Sequence, residues 1–318
     1  MKDLALVIPV FNEESIVVHA IETIIEEISK IEGLKSFEMI IVDDGSQDMT
    51  WELLMKQLCP AHSEIRAIKL SRNFGKESAL CAGLELADAR ATVVLDADLQ
   101  HPPELIGQMY AIWLSESVDI VEAVKRSRGD ESFLSRAAAN GFYSLFSRLS
   151  GVNLKNASDF KLMDRRVVNA WRELPERNIF FRGMSAWVGF TRQEIEFDVA
   201  ERADSASKWN TASLFRLALT GIAAYSSAPL HLITVGGIVF IIFSIFLGIL
   251  TLFQYSTGVA VSGFSTVILL LLIIGGAIMV SLGIIGEYLA RIYDEVKARP
   301  RFLISDDSKN PKTRSRKQ

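Results

Sequence analysis

The sequence is short of cysteine, of positive net charge and of glycine-rich nucleotide motifs. Its two cysteines, Cys59 and Cys81, lie far apart and outside any Cys-x-x-Cys spacing, which excludes a disulfide framework and predicts two buried thiols. A net charge of −4 at pH 7 gives no overall attraction for nucleic acid. Because Gly-x-Gly-x-x-Gly and Gly-x-x-x-x-Gly-Lys-Ser/Thr are both missing from the N-terminal part, neither a dinucleotide dehydrogenase nor a P-loop NTPase is expected.

Charge is missing from one long segment. Residues 217–286 contain no Asp, Glu, Lys or Arg, and this length accommodates two bilayer spans of about 20 residues each. A more mixed apolar segment before them is typical of a helix that lies in the membrane interface. The expected membrane elements are an interfacial amphipathic helix at residues 212–228 and a two-helix region at residues 229–289, with spans at about 230–253 and 264–285.

The flanking segments predict an orientation. Residues 290–318 carry many Lys and Arg side chains, and positive charge beside a span favours the cytosolic side. The first apolar run, residues 4–11, is too short for a signal peptide. We therefore expect a multi-pass protein of the inner (cytoplasmic) membrane, with the domain of residues 1–211 and both termini in the cytosol. The polar end from Ser305 is expected to be disordered.

The N-terminal domain alternates continuous apolar runs with amphipathic helical patterns. Strands are expected at residues 4–10, 38–42, 65–70 and 91–95, and helices at residues 14–31, 51–58 and 77–87. This alternation predicts an α/β fold with a mainly parallel, Rossmann-like sheet. Ligands of such sheets bind outside the carboxyl ends of the strands.

Polar clusters follow three of these strands. The first strand ends at Asn12-Glu13, the second at Asp-Asp-Gly-Ser (residues 43–46) and the fourth at Asp96-Ala97-Asp98. Two carboxylates at i and i+2 of an extended segment point the same way, so they can hold one Mg²⁺ or Mn²⁺ beside a diphosphate. The alternative is a capping role for the helix that starts near residues 102–104. Together the clusters indicate a nucleotide-sugar enzyme.

Six ordered motifs resemble glycosyltransferase family 2. The resemblance covers nearly the whole chain and is strongest to the polyprenyl-phosphate glycosyltransferases, similar to dolichol-phosphate mannose synthase and bacterial undecaprenyl-phosphate glucosyltransferases. The motifs are Ile8-Pro9-Val10-Phe11-Asn12-Glu13-Glu14, Val42-Asp43-Asp44-Gly45-Ser46, Ser71-Arg72-Asn73-Phe74-Gly75-Lys76-Glu77, Asp96-Ala97-Asp98-Leu99-Gln100, Ser158-Asp159-Phe160 with Asp164-Arg165-Arg166, and Leu174-Pro175-Glu176-Arg177-Asn178.

The resemblance implies a GT-A-type transferase domain with assigned donor residues. It implies that Asp43 bonds the uracil or ribose and that Asp98 also takes part in catalysis. A solvated helix start is the alternative for Lys76. The implied nucleotide-sugar residues are Pro9, Asn12, Glu13, Asp43, Lys76, Asp96 and Gln100, and the implied metal residues are Asp96, Asp98 and Gln100.

Asp159 is the candidate carboxylate on the acceptor side, where the family has a base or an orienting group. The nucleophile implied by the resemblance is a phosphate monoester, whose second pKa is about 6. It is therefore largely ionised already, and we expect Asp159 to orient rather than to abstract a proton. The alternative is a helix cap or a partner of Arg165 or Arg166.

Two basic clusters could supply donors to a lipid phosphate at the membrane surface. Generic attraction to anionic headgroups is the alternative. Two positions depart from the family pattern: His101 replaces an Asp, and residues 203–209 replace a Gly-x-Ser-Lys-Tyr loop. The predicted acceptor-phosphate residues are Lys125, Arg126, Arg136, Arg202 and Lys208.

The motifs together predict inverting transfer of a hexose, with glucose from UDP-glucose as the first candidate, to polyprenyl (undecaprenyl) phosphate. Alternatives are another donor, such as GDP-mannose or a UDP-amino sugar, and a noncatalytic membrane scaffold with a transferase-like domain. The expected partners are the nucleotide sugar, the lipid acceptor and the membrane, without nucleic acid. A homo-oligomer is also expected because Gly236-Gly237 and Gly275-Gly276 permit close helix packing.

Overall fold

A computed structural model describes residues 1–125, 158–174, 176, 181–197, 228–258 and 263–310. By their contacts the residues form two compact units. One unit contains residues 1–147, 152–208 and 299–318, and the other contains residues 148–151 and 209–298. The predicted interfacial helix, apart from Ala228, lies outside the described residues, as do Arg126, Arg136, Arg202 and Lys208.

The first unit is built on one eight-stranded sheet. Its strands are β1 (Lys2–Val10), β2 (Phe37–Asp43), β3 (Ile65–Leu70), β4 (Ala89–Val94), β5 (Ile120–Lys125), β6 (Lys161–Asp164), β7 (Arg192–Phe197) and β8 (Ile304–Asp307). The strand order across the sheet is β7-β5-β6-β4-β1-β2-β3-β8. β1 to β4 are parallel, as are β5 and β7, whereas β6 and β8 run antiparallel to their neighbours. The predicted mainly parallel α/β sheet is confirmed.

Helices connect the strands as the apolar periodicity predicts. The segment expected as one helix at residues 51–58 is instead the end of a short α-helix followed by a π-helical turn, Leu54–Leu58, and a second short α-helix begins at Cys59. The helices of this unit are α1 (Val17–Ser29), α2 (Thr50–Leu53), α3 (Cys59–Ala61), α4 (Lys76–Leu86), α5 (Leu105–Glu116), α6 (Arg165–Glu173) and α7 (Phe181–Trp187).

The order of the strands creates a switch point between β1 and β4. The chain moves outward from β1 through β2 to β3, and then returns to the other side of β1 to form β4. Connections leaving β1 and β4 therefore diverge at their carboxyl ends, which opens a crevice there. Residues that follow both strands line this crevice, among them Phe11, Glu13, Asp96 and Asp98.

The core forms where the buried strands meet the apolar faces of the helices. β1 is buried on both faces from Leu4 to Ile8, as expected for a central parallel strand. α1 buries a stripe that includes Ala20, Ile24 and Ile28. α4 packs so closely on β1 that a Cβ at Gly83 would lie 2.2 Å from a Val7 methyl carbon, so a side chain cannot be accommodated at position 83.

The end of the described chain adds the edge strand β8 next to β3. Ser305 Oγ donates to the Lys69 carbonyl at 3.2 Å, and Arg66 pairs with Asp307 through two hydrogen bonds of 2.7 and 3.2 Å. The expectation of disorder from Ser305 is therefore wrong for residues 305–310, because strand pairing and this ion pair order a segment that looks polar in isolation.

The second unit contains two long apolar helices, α8 (Ala228–Ser256) and α9 (Phe264–Val296). Segments Ile233–Leu250 and Ile273–Val296 are long and apolar enough to cross a membrane. Large apolar side chains such as Ile242, Leu271 and Met279 are exposed on them. Both helices extend beyond the predicted spans, and α9 continues 11 residues past residue 285.

Candidate active site

A cleft of about 280 Å³ lies at the carboxyl ends of the parallel strands. It lies at the switch point between β1 and β4, and the start of α4 forms one wall. The cleft contains both carboxylates of the Asp-x-Asp motif. Its lining residues are Pro9, Val10, Phe11, Glu13, Asp44, Asn73, Gly75, Lys76, Asp96, Ala97 and Asp98.

The loop after β1 is held in place by the loop after β2. Asn12 adopts a left-handed conformation (φ +54°), its N–H donates to Ser46 Oγ at 2.9 Å, and its side-chain oxygen accepts from Gln47 N–H at 2.9 Å. Glu13 N–H donates to Thr50 Oγ1 at 2.8 Å. These bonds fix the Asn12-Glu13 backbone at the rim of the cleft, and Asn12 acts there through its contacts with the second loop.

The loop before α4 is fixed in the same way. Both oxygens of Asp44 accept backbone N–H groups, from Phe74 at 2.7 Å and from Gly75 at 2.8 Å. Gly45 has a φ of +75°, and a Cβ there would lie 2.5 Å from the carbonyl carbon of Arg72. The two loops approach so closely that only glycine fits, and this approach positions the first residue of α4, Lys76.

Asp43 lies beneath the cleft and is not part of its lining. Its side chain is completely buried, Oδ1 accepts Ser46 N–H at 2.8 Å, and Lys69 Nζ lies 3.6 Å from Oδ2. Oδ2 has no hydrogen-bond partner among the described residues. A buried carboxylate oxygen without a donor is costly, and a ligand N–H or O–H would satisfy it.

The Asp-x-Asp motif presents its two carboxylates differently. Asp98 Oδ1 accepts the N–H of Gln100 at 3.0 Å, with Leu99 between them in the left-handed region (φ +54°). Asp96 forms an ion pair with Lys76 at 2.7 Å. The structure thus brings both carboxylates to the cleft, whereas Gln100 contributes its backbone to the turn and is not part of the lining.

Lys76 connects Asp96 to Asp159. Its Nζ lies 2.9 Å from Asp159 Oδ2, and Arg182 donates two hydrogen bonds of 2.8 Å to the same carboxylate. Burial alone would raise the pKa of Asp159, but the hydrogen bonds and charge of Arg182, together with the charge of Lys76, hold that pKa well below its usual range. Asp159 is therefore a fixed carboxylate anion and a weak base.

The partners of Asp159 differ from those weighed in the sequence. Arg165 pairs with Asp88 at 2.9 Å, and Arg166 pairs with Asp119. The alternative that Asp159 serves Arg165 or Arg166 is therefore wrong. Asp164, rather than Asp159, caps α6 by accepting the N–H of Arg166 at 2.8 Å.

Negative charge concentrates around the Asp-x-Asp motif. Burial raises the pKa of Glu13, and the nearby Asp98, Asp48 and Asp96 raise it further. No group of three or more His, Cys, Asp or Glu side chains suited to a metal occurs in the described part of the chain. A cation bound here would therefore rely on one or two carboxylates and on oxygens supplied by a ligand.

The structure reveals two site residues that the sequence argument missed. Arg182 holds Asp159, and Glu77 accepts the N–H of Phe181 at 2.8 Å and so anchors the helix that carries Arg182. Burial raises the pKa of Glu77 to about 7. Arg182 lies outside the six motifs, and Glu77 ends the third motif without an assigned role. The pairing of α4 with α7 is a tertiary contact, and only the position of Glu77 beside Lys76 hinted at it.

Of the predicted acceptor-phosphate residues, Lys125 lies in the described part of the chain. Lys125 ends β5, but its side chain is not described. His101, which departs from the family pattern, packs between aromatic rings, with centroids 5.3 Å from Phe160 and 5.7 Å from Phe197. This supports a structural role for His101.

Comparison with known proteins identifies the family of this chain. The model of glycosyl transferase family 2 matches residues 5–171. An uncharacterized glycosyltransferase of Synechocystis sp. is 41% identical over 309 residues, which cover 96% of this chain and 95% of that protein. A prophage-derived bactoprenol glucosyl transferase of Shigella flexneri is 36% identical over 305 residues, 95% of this chain and 97% of the relative.

Among solved structures, glucosyl-3-phosphoglycerate synthase from Mycobacterium tuberculosis matches 70% of this chain and 80% of its own, with a TM-score of 0.47 at 19% identity. The family model and the full-length relatives define the class of protein, a glycosyltransferase. The chain belongs to glycosyl transferase family 2. The predicted family is confirmed.

Proposed function

We propose that the protein transfers glucose from UDP-glucose to polyprenyl phosphate, with inversion at the anomeric carbon. Family membership and the name of the 36% identical relative support the glucosyl donor and the lipid acceptor. The observation that carries the proposal is a series of ion pairs that connects the cleft to Asp159: Asp96 with Lys76, Lys76 with Asp159, and Asp159 with Arg182. We assign the Asp96 end to a metal-bound diphosphate and the Arg182 end to the phosphate nucleophile.

The donor end fits a divalent cation bound together with the diphosphate. Asp96 and Asp98 offer hard oxygen ligands, and Mg²⁺ in nucleotide sites typically takes one or two carboxylates, substrate phosphates and water. Burial raises the pKa of Glu13, and the negative charge of the nearby Asp98, Asp48 and Asp96 raises it further; a cation would relieve this second contribution. Bound Mg²⁺ or Mn²⁺ would supply Lewis-acid neutralisation of the leaving diphosphate. Gln100 would contribute by shaping the Asp98 turn.

The nucleoside is proposed to bind along the ends of β1 and β2. Pro9 and Glu13 line the cleft, and Asn12 and Asp43 support it from behind. Oδ2 of Asp43, which accepts no hydrogen bond among the described residues, is the proposed acceptor for a uracil N–H or a ribose hydroxyl. Because this oxygen is buried beneath the cleft, the contact requires the loop above it to move when the donor binds. A donor whose base lacks the matching group would leave this buried oxygen without a hydrogen bond. The cost of that missing bond discriminates strongly between nucleotide donors.

The acceptor phosphate is proposed to attack the anomeric carbon from the side of Asp159. Since the phosphate is largely ionised near neutral pH, it needs no strong base. Asp159, ionised and held by Lys76 and Arg182, orients these two cations toward the phosphate. Lys125 at the end of β5, together with Arg126, Arg136, Arg202 and Lys208, which lie outside the described residues, completes the proposed anion site.

The membrane helices are proposed to deliver the lipid headgroup. α8 and α9 are long and apolar enough to cross a bilayer, and an acceptor of this class is itself a membrane lipid. We propose a multi-pass inner-membrane protein with the catalytic domain and both termini in the cytosol, as the basic residues after the spans favour. A homo-oligomer stays a prediction.

The test is transfer of radiolabelled sugar into organic-extractable lipid by the purified full-length protein. A panel of UDP- and GDP-sugars is offered with undecaprenyl phosphate and Mg²⁺ or Mn²⁺. Label from UDP-glucose alone, in a β-linked product and only with added lipid phosphate, supports the proposal. Label from GDP-mannose or a UDP-amino sugar instead would replace the donor. A folded, metal-supplied protein that transfers nothing would favour the noncatalytic scaffold.

The role of Asp159 is tested by its pH profile. Asp159→Asn should lower turnover at all pH values by a similar factor, because the phosphate ionises independently of this residue. If Asp159→Asn instead removed only the part of the pH–rate profile that reports deprotonation of a base, the orienting role of Asp159 would be contradicted. A glycosyl-enzyme adduct trapped during turnover would contradict the single-displacement mechanism.

A further inference from the structure

A buried ion pair lies beside Asp159 and takes no part in the proposed transfer. Glu122 of β5 and Lys161 of β6 are opposite each other in the antiparallel pairing, and Lys161 Nζ lies 3.0 Å from Glu122 Oε1. Their side chains are only 4% and 1% exposed. Apolar residues of similar volume are commonly as stabilising as a buried ion pair, or more so. Stability of the fold therefore does not explain this pair.

The pair is bonded to the segment that carries Asp159. The N–H of Ser158 donates to Glu122 Oε1 at 2.7 Å, and the N–H of Ala123 donates to the Phe160 carbonyl at 3.0 Å. Ser158 precedes Asp159, and Lys161 follows it by two residues. Since both contact the same carboxylate, Glu122 fixes the chain on either side of Asp159.

The pair also contacts the neighbour of Arg182. Lys161 Nζ lies 5.2 Å from the ring centroid of Phe181, which is completely buried and begins α7. Arg182 follows directly and holds Asp159 with two hydrogen bonds. One buried pair therefore contacts a chain neighbour of each partner in the Asp159–Arg182 ion pair.

We propose that Glu122 and Lys161 are positioning residues that hold Asp159 and Arg182 in the orientation needed for attack by the acceptor phosphate. The inference rests on the proposed function. A charge-assisted hydrogen bond fixes both distance and direction, whereas an apolar contact fixes neither. A supporting layer of this kind keeps the groups at the reacting centre within the narrow geometry that transfer requires.

The test replaces the pair by apolar residues of similar size, Glu122→Leu with Lys161→Met, in the full-length protein. We expect a thermal unfolding midpoint close to that of the wild type, because the gain from the apolar pair offsets the hydrogen bond that the Ser158 N–H loses. We expect kcat to fall by at least about tenfold, with KM for UDP-glucose within about twofold. Hydrogen exchange of the Ser158 amide should be about tenfold faster, because its acceptor is gone.

Two further variants separate positioning from stability. Glu122→Gln with Lys161→Met keeps an oxygen for the Ser158 N–H and should restore part of kcat and of the exchange protection. Asp119→Asn disturbs another buried carboxylate just before β5, which accepts the Thr191 N–H at 3.1 Å and its hydroxyl at 2.7 Å. This control should lower the unfolding midpoint and leave kcat unchanged.

Wild-type kcat in the apolar double variant would overturn the proposal, whether or not Ser158 exchanges faster. Loss of kcat to the same degree in Asp119→Asn would also overturn it, since general destabilisation would then explain the effect. A wild-type protein without transfer activity would refute the proposed function instead. In that case unchanged Ser158 exchange in the double variant would separately contradict the ordering of this segment by Glu122.

Discussion

The cleft, proposed as the donor side, and the adjacent region around Asp159, proposed as the acceptor side, are built from different interactions. The donor side consists of loops after parallel strands, held by backbone N–H groups that donate to Asp44, Ser46 and Thr50. The acceptor side consists of a segment before the antiparallel strand β6, where Asp159 is held by two cationic side chains. The donor side therefore has a fixed backbone, and the acceptor side has fixed charges.

The difference in charge indicates what each side lacks. On the donor side Glu13, Asp96 and Asp98 crowd together, and Lys76 is the cation that pairs with Asp96 in the described structure. On the acceptor side Asp159 already has two cations. Under the proposed function, the donor side would therefore take a bound cation, while the acceptor side would receive an anionic phosphate directly. The predictions below test this contrast.

The largest effect is expected at the donor side. Asp96→Asn removes a proposed cation ligand and the partner of Lys76, so transfer should fall by about a thousandfold or more. Sugar transfer to lipid is measured at saturating Mg²⁺ and Mn²⁺. The matched control is Asp88→Asn, which affects only an exposed ion pair with Arg165 and should keep full activity. If Asp96→Asn were about as active as the control, the proposal that Asp96 binds a cation needed for transfer would be wrong.

A smaller effect is expected at Arg182 on the acceptor side. Arg182→Gln should lower kcat/KM for the lipid acceptor by about a hundredfold, because Asp159 loses the bidentate hydrogen bonds that Arg182 donates. Arg182→Lys should recover little, since an ammonium cannot make the same paired contact. KM for UDP-glucose should change much less. Arg165→Gln is the control, and an equal loss there would assign the effect to general surface charge.

Glu77 should make stability depend on pH. Its carboxyl has a pKa of about 7 in the folded protein, against an ordinary value of 4.5. Between these values the folded state binds more protons than the unfolded state, so stability decreases as pH rises from about 4.5 to about 7, by about 3 kcal/mol. Unfolding midpoints at pH 5 and pH 8 measure this difference. In Glu77→Gln the difference should shrink, and an unchanged difference would place the titrating group elsewhere.

The smallest effect is expected at the edge strand β8, which contributes no residue to the lining of the cleft. Asp307→Asn breaks a partly exposed pair with Arg66 and should cost about 1 kcal/mol of stability. The unfolding midpoint should drop slightly, and kcat should match the wild type. A loss of kcat would mean that β8 influences the loop after β3, which leads to Lys76.

The sequence anticipated the donor side better than the acceptor side. Apolar runs predicted β1 to β4, and polar residues at their ends predicted the cleft that contains Glu13, Lys76, Asp96 and Asp98. This succeeded because parallel strands bring their carboxyl ends to one edge of a sheet. The expected role of Asp43 was harder to judge from sequence, since its burial beneath the cleft depends on how the loop at Gly45 approaches Arg72.

The acceptor side could not be derived in the same way. β6 is a short antiparallel strand inserted between β4 and β5, and its neighbours come from distant parts of the chain. Only this arrangement lets Arg182 bond Asp159, Glu122 bond the neighbouring Ser158 and Glu77 bond Phe181. The strand β8 is a similar case, since its polar residues become ordered only by pairing with β3.

The sequence by itself determined the family, the α/β alternation, the acidic strand ends and the two long apolar segments. Each of these depends on local periodicity or on a short motif, and local chain geometry is enough to express it. Only the tertiary structure decided which cations hold Asp159, which oxygen of Asp43 lacks a donor and which buried pair supports the acceptor side. Those contacts join residues far apart in sequence, and their geometry exists only after the sheet has assembled.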